Sequence, residues 1–181
     1  MVCYLPAVFP DPDPPVKPAD CAALAERLVT LPFPPAATAA DDWIIGRATS
    51  GPDRHFAPIA ASEVLEDAPA ERWTKAQDRL ERRLLEVVQS LTAAWGPSQI
   101  HSFAPDFDRI IAGQAVRPVV EDITLFAYGH HANVWHRSGR TVCVVLGQLD
   151  KHYPIVLMIA VTAEPLGDGF ADFRSRDDRT E

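Results

Sequence analysis

The chain has 181 residues, 47% of them hydrophobic and 23% charged, with a formal net charge of −8 and a sequence pI of about 5.2. A chain of this length buries roughly 70% of the surface its unfolded form exposes, so it needs neither a metal nor a disulfide to fold. The acidic balance excludes a general phosphate-backbone binder, which needs clustered positive charge.

The acidity is uneven. Through Pro69 there are 4 basic and 10 acidic residues, a local charge of −6; the remainder carries 13 basic and 15 acidic, a local charge of −2. Such an acidic first third keeps a protein soluble and also steers a basic partner toward it. Fourteen arginines stand against three lysines in an alanine- and proline-rich chain, a composition expected of GC-rich, bacterial coding DNA. Cys3, Cys21 and Cys143 are odd in number and form no C-x-x-C pair, which points to a reducing compartment. The N-terminus lacks a basic region followed by a long apolar one, and the apolar runs near the C-terminus fall well short of the ~20 residues a membrane helix needs. A cytoplasmic protein with no membrane association is expected.

In chain order, residues 1–18 form a proline-rich arm, extended because each proline fixes φ and removes a backbone donor. Tyr4, Leu5, Val8 and Phe9 suit it to lie over the domain surface. Asp20 is placed to cap a short helix through Leu31, with Leu24, Leu28 and Leu31 on one face. A strand from Trp43 to Ala48, a Ser50-Gly51-Pro52 turn and a second extended piece through Ile59 follow.

The strongest periodic signal runs from Pro69 to Trp95. Trp73, Ala76, Leu80, Leu84, Val87, Leu91 and Trp95 recur at steps of three and four between charged residues, and Gly96-Pro97 stops the pattern. This predicts a long amphipathic helix with one apolar stripe. "SQIHSF" reads as a short strand and "PDFDRIIAG" as a short helix led by Pro105. From Pro118 the apolar spacing is helical, against a β-branched content that favours a strand; a helix is expected. From Ala132 the pattern is that of a three-stranded antiparallel meander, at about 132–137, 140–147 and 154–162. Its second and third strands are apolar at nearly every position, so both of their faces must be covered. The fold expected is α+β: one domain over 19–163, an antiparallel sheet packed against the long helix, and a charged tail over 164–181.

The stretch "GHHANVWHRSGR" from Gly129 to Arg140 carries the densest candidate chemistry. On a strand His130 and His136 share a face but stand roughly 20 Å apart, and His131 points the other way. Two ligands of one zinc lie about 2 Å from it, so these histidines do not make a metal site. Asp150 and His152 share a turn and resemble half of a catalytic triad, but no serine or cysteine sits on a nucleophile elbow. Asp41-Asp42, Glu66-Asp67 and Glu121-Asp122 are adjacent pairs whose carboxylates diverge. Phosphate-cradling glycine motifs are absent, and no cofactor is expected.

What remains is a small acidic scaffold of the kind that binds other proteins. In size, charge and architecture it is similar to bacterial immunity or antitoxin proteins, which neutralise a basic partner; no motif carries that likeness, so no site is transferred from it. His131, Trp135, His136, Asp150 and His152 are the candidate binding residues, because loops at sheet ends commonly carry function. The competing expectation is a small enzyme or ligand-binding protein whose site assembles from His101, His131, Trp135, Asp150 and His152 at the sheet edge.

Overall fold

The computed structural model describes residues 16–37, 47–128 and 130–166. Most of the expected N-terminal arm with Tyr4, Leu5, Val8 and Phe9, the Asp41-Asp42 pair, the strand at Trp43, Gly129 and most of the charged tail lie outside the described residues.

The elements follow as α1 (Pro18–Thr30), β1 (Thr49–Gly51), β2 (Arg54–Ala61), α2 (Ala70–Trp95), β3 (Gln99–Ser102), α3 (Ala104–Ile111), α4 (Pro118–Ala127), β4 (His131–Arg137), β5 (Arg140–Gly147) and β6 (Val156–Thr162). The strands form one antiparallel sheet in the order β1-β2-β6-β5-β4-β3. The expected α+β architecture with the long helix against the sheet is the one observed, and β4-β5-β6 is the expected meander. The meander is the centre of a wider sheet, because β2 adds beside β6 and β3 beside β4.

The central strands dictate the layering. Every residue of β6 is buried, and alternate side chains enter two separate cores. Leu157, Ile159 and Val161 join Val142 and Val144 of β5 beneath α1 and α2. Val156, Met158 and Ala160 join Cys143 and Val145 beneath α4. The period of two in side-chain direction thus makes a three-layer sandwich out of two apolar strands. Helix α2 supplies Ala76, Leu80, Val87 and Leu91 to the first core, and α4 supplies Val119, Val120, Ile123 and Phe126 to the second. Each large side chain so buried is worth about 1.5–3 kcal/mol.

Two starts differ from the sequence expectation. Helix α1 begins at Pro18, with Lys17 as its extended flanking residue, and Asp20 sits in the first turn instead of capping it. Proline at the first helical position has φ preset and no donor to lose, which moves the start upstream. The first strand of the hairpin is only Thr49–Gly51, so β2 runs past it: beyond Phe56, β1 offers it no partner. Pro58 stands beside a register shift between Pro58 and Ala60, an irregular point of the ladder where a missing N–H costs least.

The C-terminus of α1 is held by side chains distant in sequence. The Arg140 guanidinium donates to the carbonyls of Leu28 (3.1 Å) and Leu31 (2.6 Å) and lies 4.0 Å from the Phe33 ring centre. His55, buried and stacked on Phe33, has Nε2 3.1 Å from the Leu31 carbonyl and Nδ1 2.7 Å from Ser50 Oγ. A carbonyl only accepts, so Nε2 carries a proton, and when the ring is neutral Nδ1 accepts from the serine. Burial holds the His55 pKa below its ordinary value, with the nearby Arg140 charge acting the same way and the Leu31 bond opposing. Burial also lowers that of His101, against the pull of Asp106.

Both histidines return to the ordinary imidazole value of 6.5 once the chain unfolds and titrate below it when it is folded. The unfolded chain therefore binds more protons as pH falls below about 6.5, and stability drops with it. The urea midpoint is expected to be lower at pH 5.5 than at pH 7.5. His55→Asn is expected to shrink that difference even as it lowers stability at pH 7.5. An equal or higher midpoint at pH 5.5 contradicts the lowered histidine pKa values.

Candidate functional site

An open cleft of about 380 Å³ lies at the end of the sheet where β5 leaves and β6 enters. Three elements wall it. The first turns of α2 bring Trp73 and Gln77, the end of α4 brings Phe126 to Tyr128 with His130 beyond it, and the β5–β6 connection brings Gly147 to Asp150. It spans the level of the sheet, so both helical layers contribute.

A close approach positions these walls. A Cβ placed on Gly147 would lie 2.2 Å from the Phe126 carbonyl oxygen, so only glycine lets the end of β5 pass under the end of α4. The Gln148 N–H then donates to that same carbonyl at 3.1 Å, and the Gln148 side-chain amide donates to the Tyr153 carbonyl at 2.8 Å. The β5–β6 connection is thereby fixed against α4.

Two large aromatic residues stand open at this cleft. Trp73 is 42% exposed and Tyr128 is 69% exposed. The sequence places Trp73 on the apolar stripe of α2. The stripe's first position, however, lines the cleft and is left open to solvent, while Ala76 and Leu80 are buried. Tyr128 ends α4 in the left-handed conformation, φ 53° and ψ 42°. Glycine or asparagine ordinarily takes that place, because a side chain there costs energy. Its ring lies 5.5 Å from that of Phe107 on α3.

The rim is acidic. Asp150 lines the cleft, and His152 beside it has Nδ1 2.7 Å from Glu66 Oε1 and Nε2 3.6 Å from Asp150 Oδ1. Asp150 also accepts the His152 backbone N–H at 3.0 Å, the turn-closing bond its position suggests. Each ring nitrogen of His152 faces a carboxylate, so neither is directed at a nucleophile. Among the described residues, no serine, threonine or cysteine lines the cleft.

The other candidates are scattered by the fold. His131 begins β4 opposite Ser102 and is exposed. Trp135 is buried in the core under α2, donates from Nε1 to the Gly96 carbonyl at 2.9 Å, and meets Trp95 edge-on with centres 6.1 Å apart. His136 is exposed, with Nδ1 3.2 Å from Thr141 Oγ1. His101 is fully buried, edge-on to Phe103 at 4.8 Å. Of the expected binding residues, only Asp150 lines this cleft, with His152 beside it. Trp135 is a packing residue, and His131 and His136 are not among the cleft residues. Trp73, Tyr128, His130 and Gln148 were not on the sequence list. The one sequence signal for them was Trp73 near the helix start, where a stripe begins before the sheet does.

Among the described residues the two cysteines are both buried. Burial pushes Cys21 up to about 11 and Cys143 up to about 12, and neither is exposed. Among the described residues, no group of three or more histidine, cysteine, aspartate or glutamate side chains is placed to hold a metal ion, and no helix is long and apolar enough to cross a membrane.

Two substitutions separate the cleft's framework from its surface. Gly147→Ala is expected to destabilise by about 1–3 kcal/mol, the range for forcing atoms into a filled space, read as a lower urea midpoint. Tyr128→Gly is expected to leave stability unchanged or raise it by about 1 kcal/mol, because glycine takes the left-handed conformation freely. A large loss with Tyr128→Gly makes the tyrosine a framework residue. Comparison with protein-family models, with curated proteins and with solved structures returns no match at all.

Proposed function

We propose that this chain is a non-enzymatic protein-binding protein that takes a basic segment of its partner at the cleft between α2, α4 and the β5–β6 connection. The observation that carries the reading is the pair of exposed aromatics, Trp73 and Tyr128, at an open cleft lined also by Asp150, with Glu66 beyond it against His152. Tryptophan and tyrosine dominate interface hot spots because they bury large area at low entropic cost. Carboxylates around them favour lysine or arginine and speed encounter with a basic partner. Tyr128 keeps its aromatic ring at a backbone position that favours glycine, which points to a role for the ring itself. The net charge of −8 gives the whole chain the same preference. Neutralisation of a basic, toxin-type bacterial protein is the biological setting this chemistry fits best.

The competing reading is a small-ligand or enzymatic site. Its favourable observation is the cleft volume of about 380 Å³, within the size range of small-molecule sites. Against it stands the orientation of His152, held between two carboxylates.

Affinity capture from the native cell extract tests the proposal, with the Trp73→Ala/Tyr128→Ala chain as a parallel bait. A stoichiometric partner with a pI above about 9 is expected on the native bait and not on the variant. With that partner purified, each single alanine is expected to cost about 2 kcal/mol or more, roughly thirtyfold in Kd. Association is expected to slow as salt rises. A retained metabolite with no protein, or a partner held equally by the variant bait, overturns the proposal.

A further inference from the structure

A second groove, of about 440 Å³, lies on the opposite flank of α2, between that helix and the end of β2. Ala60 and Ala61 form its floor, and Arg79, Arg82, Arg83 and Glu86 form its wall. At 100° per residue, Arg72, Lys75, Arg79, Arg82 and Arg83 fall on one side of α2. An acidic protein thus carries a concentrated cationic stripe. Among the described residues, Arg79 reaches Glu63 only at 3.8 Å, Arg83 reaches Glu86 at 3.3 Å and the Val16 carbonyl, and Arg82 bonds the Asp78 carbonyl at 3.3 Å, so these guanidiniums have donors left for a further acceptor.

The chain enters the described structure at this groove. Val16 donates its N–H to the Ile59 carbonyl at 3.0 Å, on the part of β2 that β1 leaves uncovered. The Arg83 guanidinium in turn donates to the Val16 carbonyl. Immediately before Val16 stands "FPDPDPP", residues 9–15, with Asp11 and Asp13.

From these we infer that residues 9–15 dock in the groove of their own chain, with Asp11 and Asp13 set against Arg79 and Arg82. The chemistry matches on three counts. The arm's carboxylates and carbonyls are acceptors, and the groove's guanidiniums are donors. Its prolines bring no N–H that would need a partner. Their fixed φ lowers the entropy lost on docking. The anchor at Val16 supplies a high local concentration of the arm at the groove. The groove is then an acidic-peptide site occupied in cis, and it is independent of the cleft at the sheet end.

A nitroxide on Pro10→Cys in a Cys3→Ser background of the full chain tests this; Cys21 and Cys143 are buried and remain unlabelled. Amide signals of residues 79–86 and of Ala60 and Ala61 are expected to broaden. Because Val16 tethers even an undocked arm nearby, the comparison that decides is with charge variants. Asp11→Lys/Asp13→Lys and Arg79→Glu/Arg82→Glu are each expected to reduce that broadening at least twofold. All four changes together are expected to restore it. The Arg79 and Arg82 side chains are on the exposed side of α2, and circular dichroism confirms that the variants remain folded. Equal broadening in the parent and charge variants, or no rescue in the fourfold variant, overturns the proposal. So does broadening that appears only between a labelled and a separate isotope-enriched copy, which assigns the arm to a second molecule.

Discussion

Two adjacent strands that are apolar on both faces govern this molecule. Residues 140–147 and 156–162 carry valine, leucine, isoleucine, methionine and cysteine in near-continuous runs, and a strand cannot hide both of its faces by itself. Covers must come from both sides. The amphipathic α2, with α1 beside it, closes one face, and α4, almost wholly apolar, closes the other. The remaining strands add at the flanks, where less burial is needed: β1 and β3 are short, and β3 leaves Gln99 and Ile100 exposed.

Covering both faces has a consequence at the ends of the strands. The two helical layers are anchored to the same pair of strands, so they come together where β5 ends and β6 begins. Gly147 allows the end of α4 to rest on the sheet, and the first turns of α2 bring Trp73 to the cleft there. A cleft open to solvent and walled by both layers results from that packing. The polar character of its rim comes from elsewhere, from a turn at Asp150–His152 and from Glu66 in the segment before α2.

Charge is distributed with the same economy of elements. One helix, α2, presents an apolar stripe to the core, an aromatic residue to the cleft at its start, and a cationic stripe toward the uncovered part of β2. The cationic stripe sits within reach of the most acidic third of the chain, and the exposed aromatics sit beside carboxylates. A net charge of −8 conceals both arrangements, because it sums over residues that the fold separates.

Local pattern in the sequence determined the elements. A period of 3.6 marked α2, Pro118 and the apolar spacing after it marked α4, Ser138-Gly139 marked the β4–β5 turn, and apolar runs without alternation showed that β5 and β6 are covered twice. These features are legible because each depends on neighbours within a few residues. The separation of His131 from His136 was legible for the same reason, since strand parity is local. The site was not. Trp135 and Trp73 both sit in patterns that mark a packing position, yet one is sealed in the core under α2 and the other is left open at the cleft. Tyr128 and Gly147 acquire their roles only from α4 meeting the end of β5, and Arg83 from its reach to Val16, 67 residues away. Period and propensity report which face of an element is apolar; only the packing of distant elements decides which of those residues remain in water.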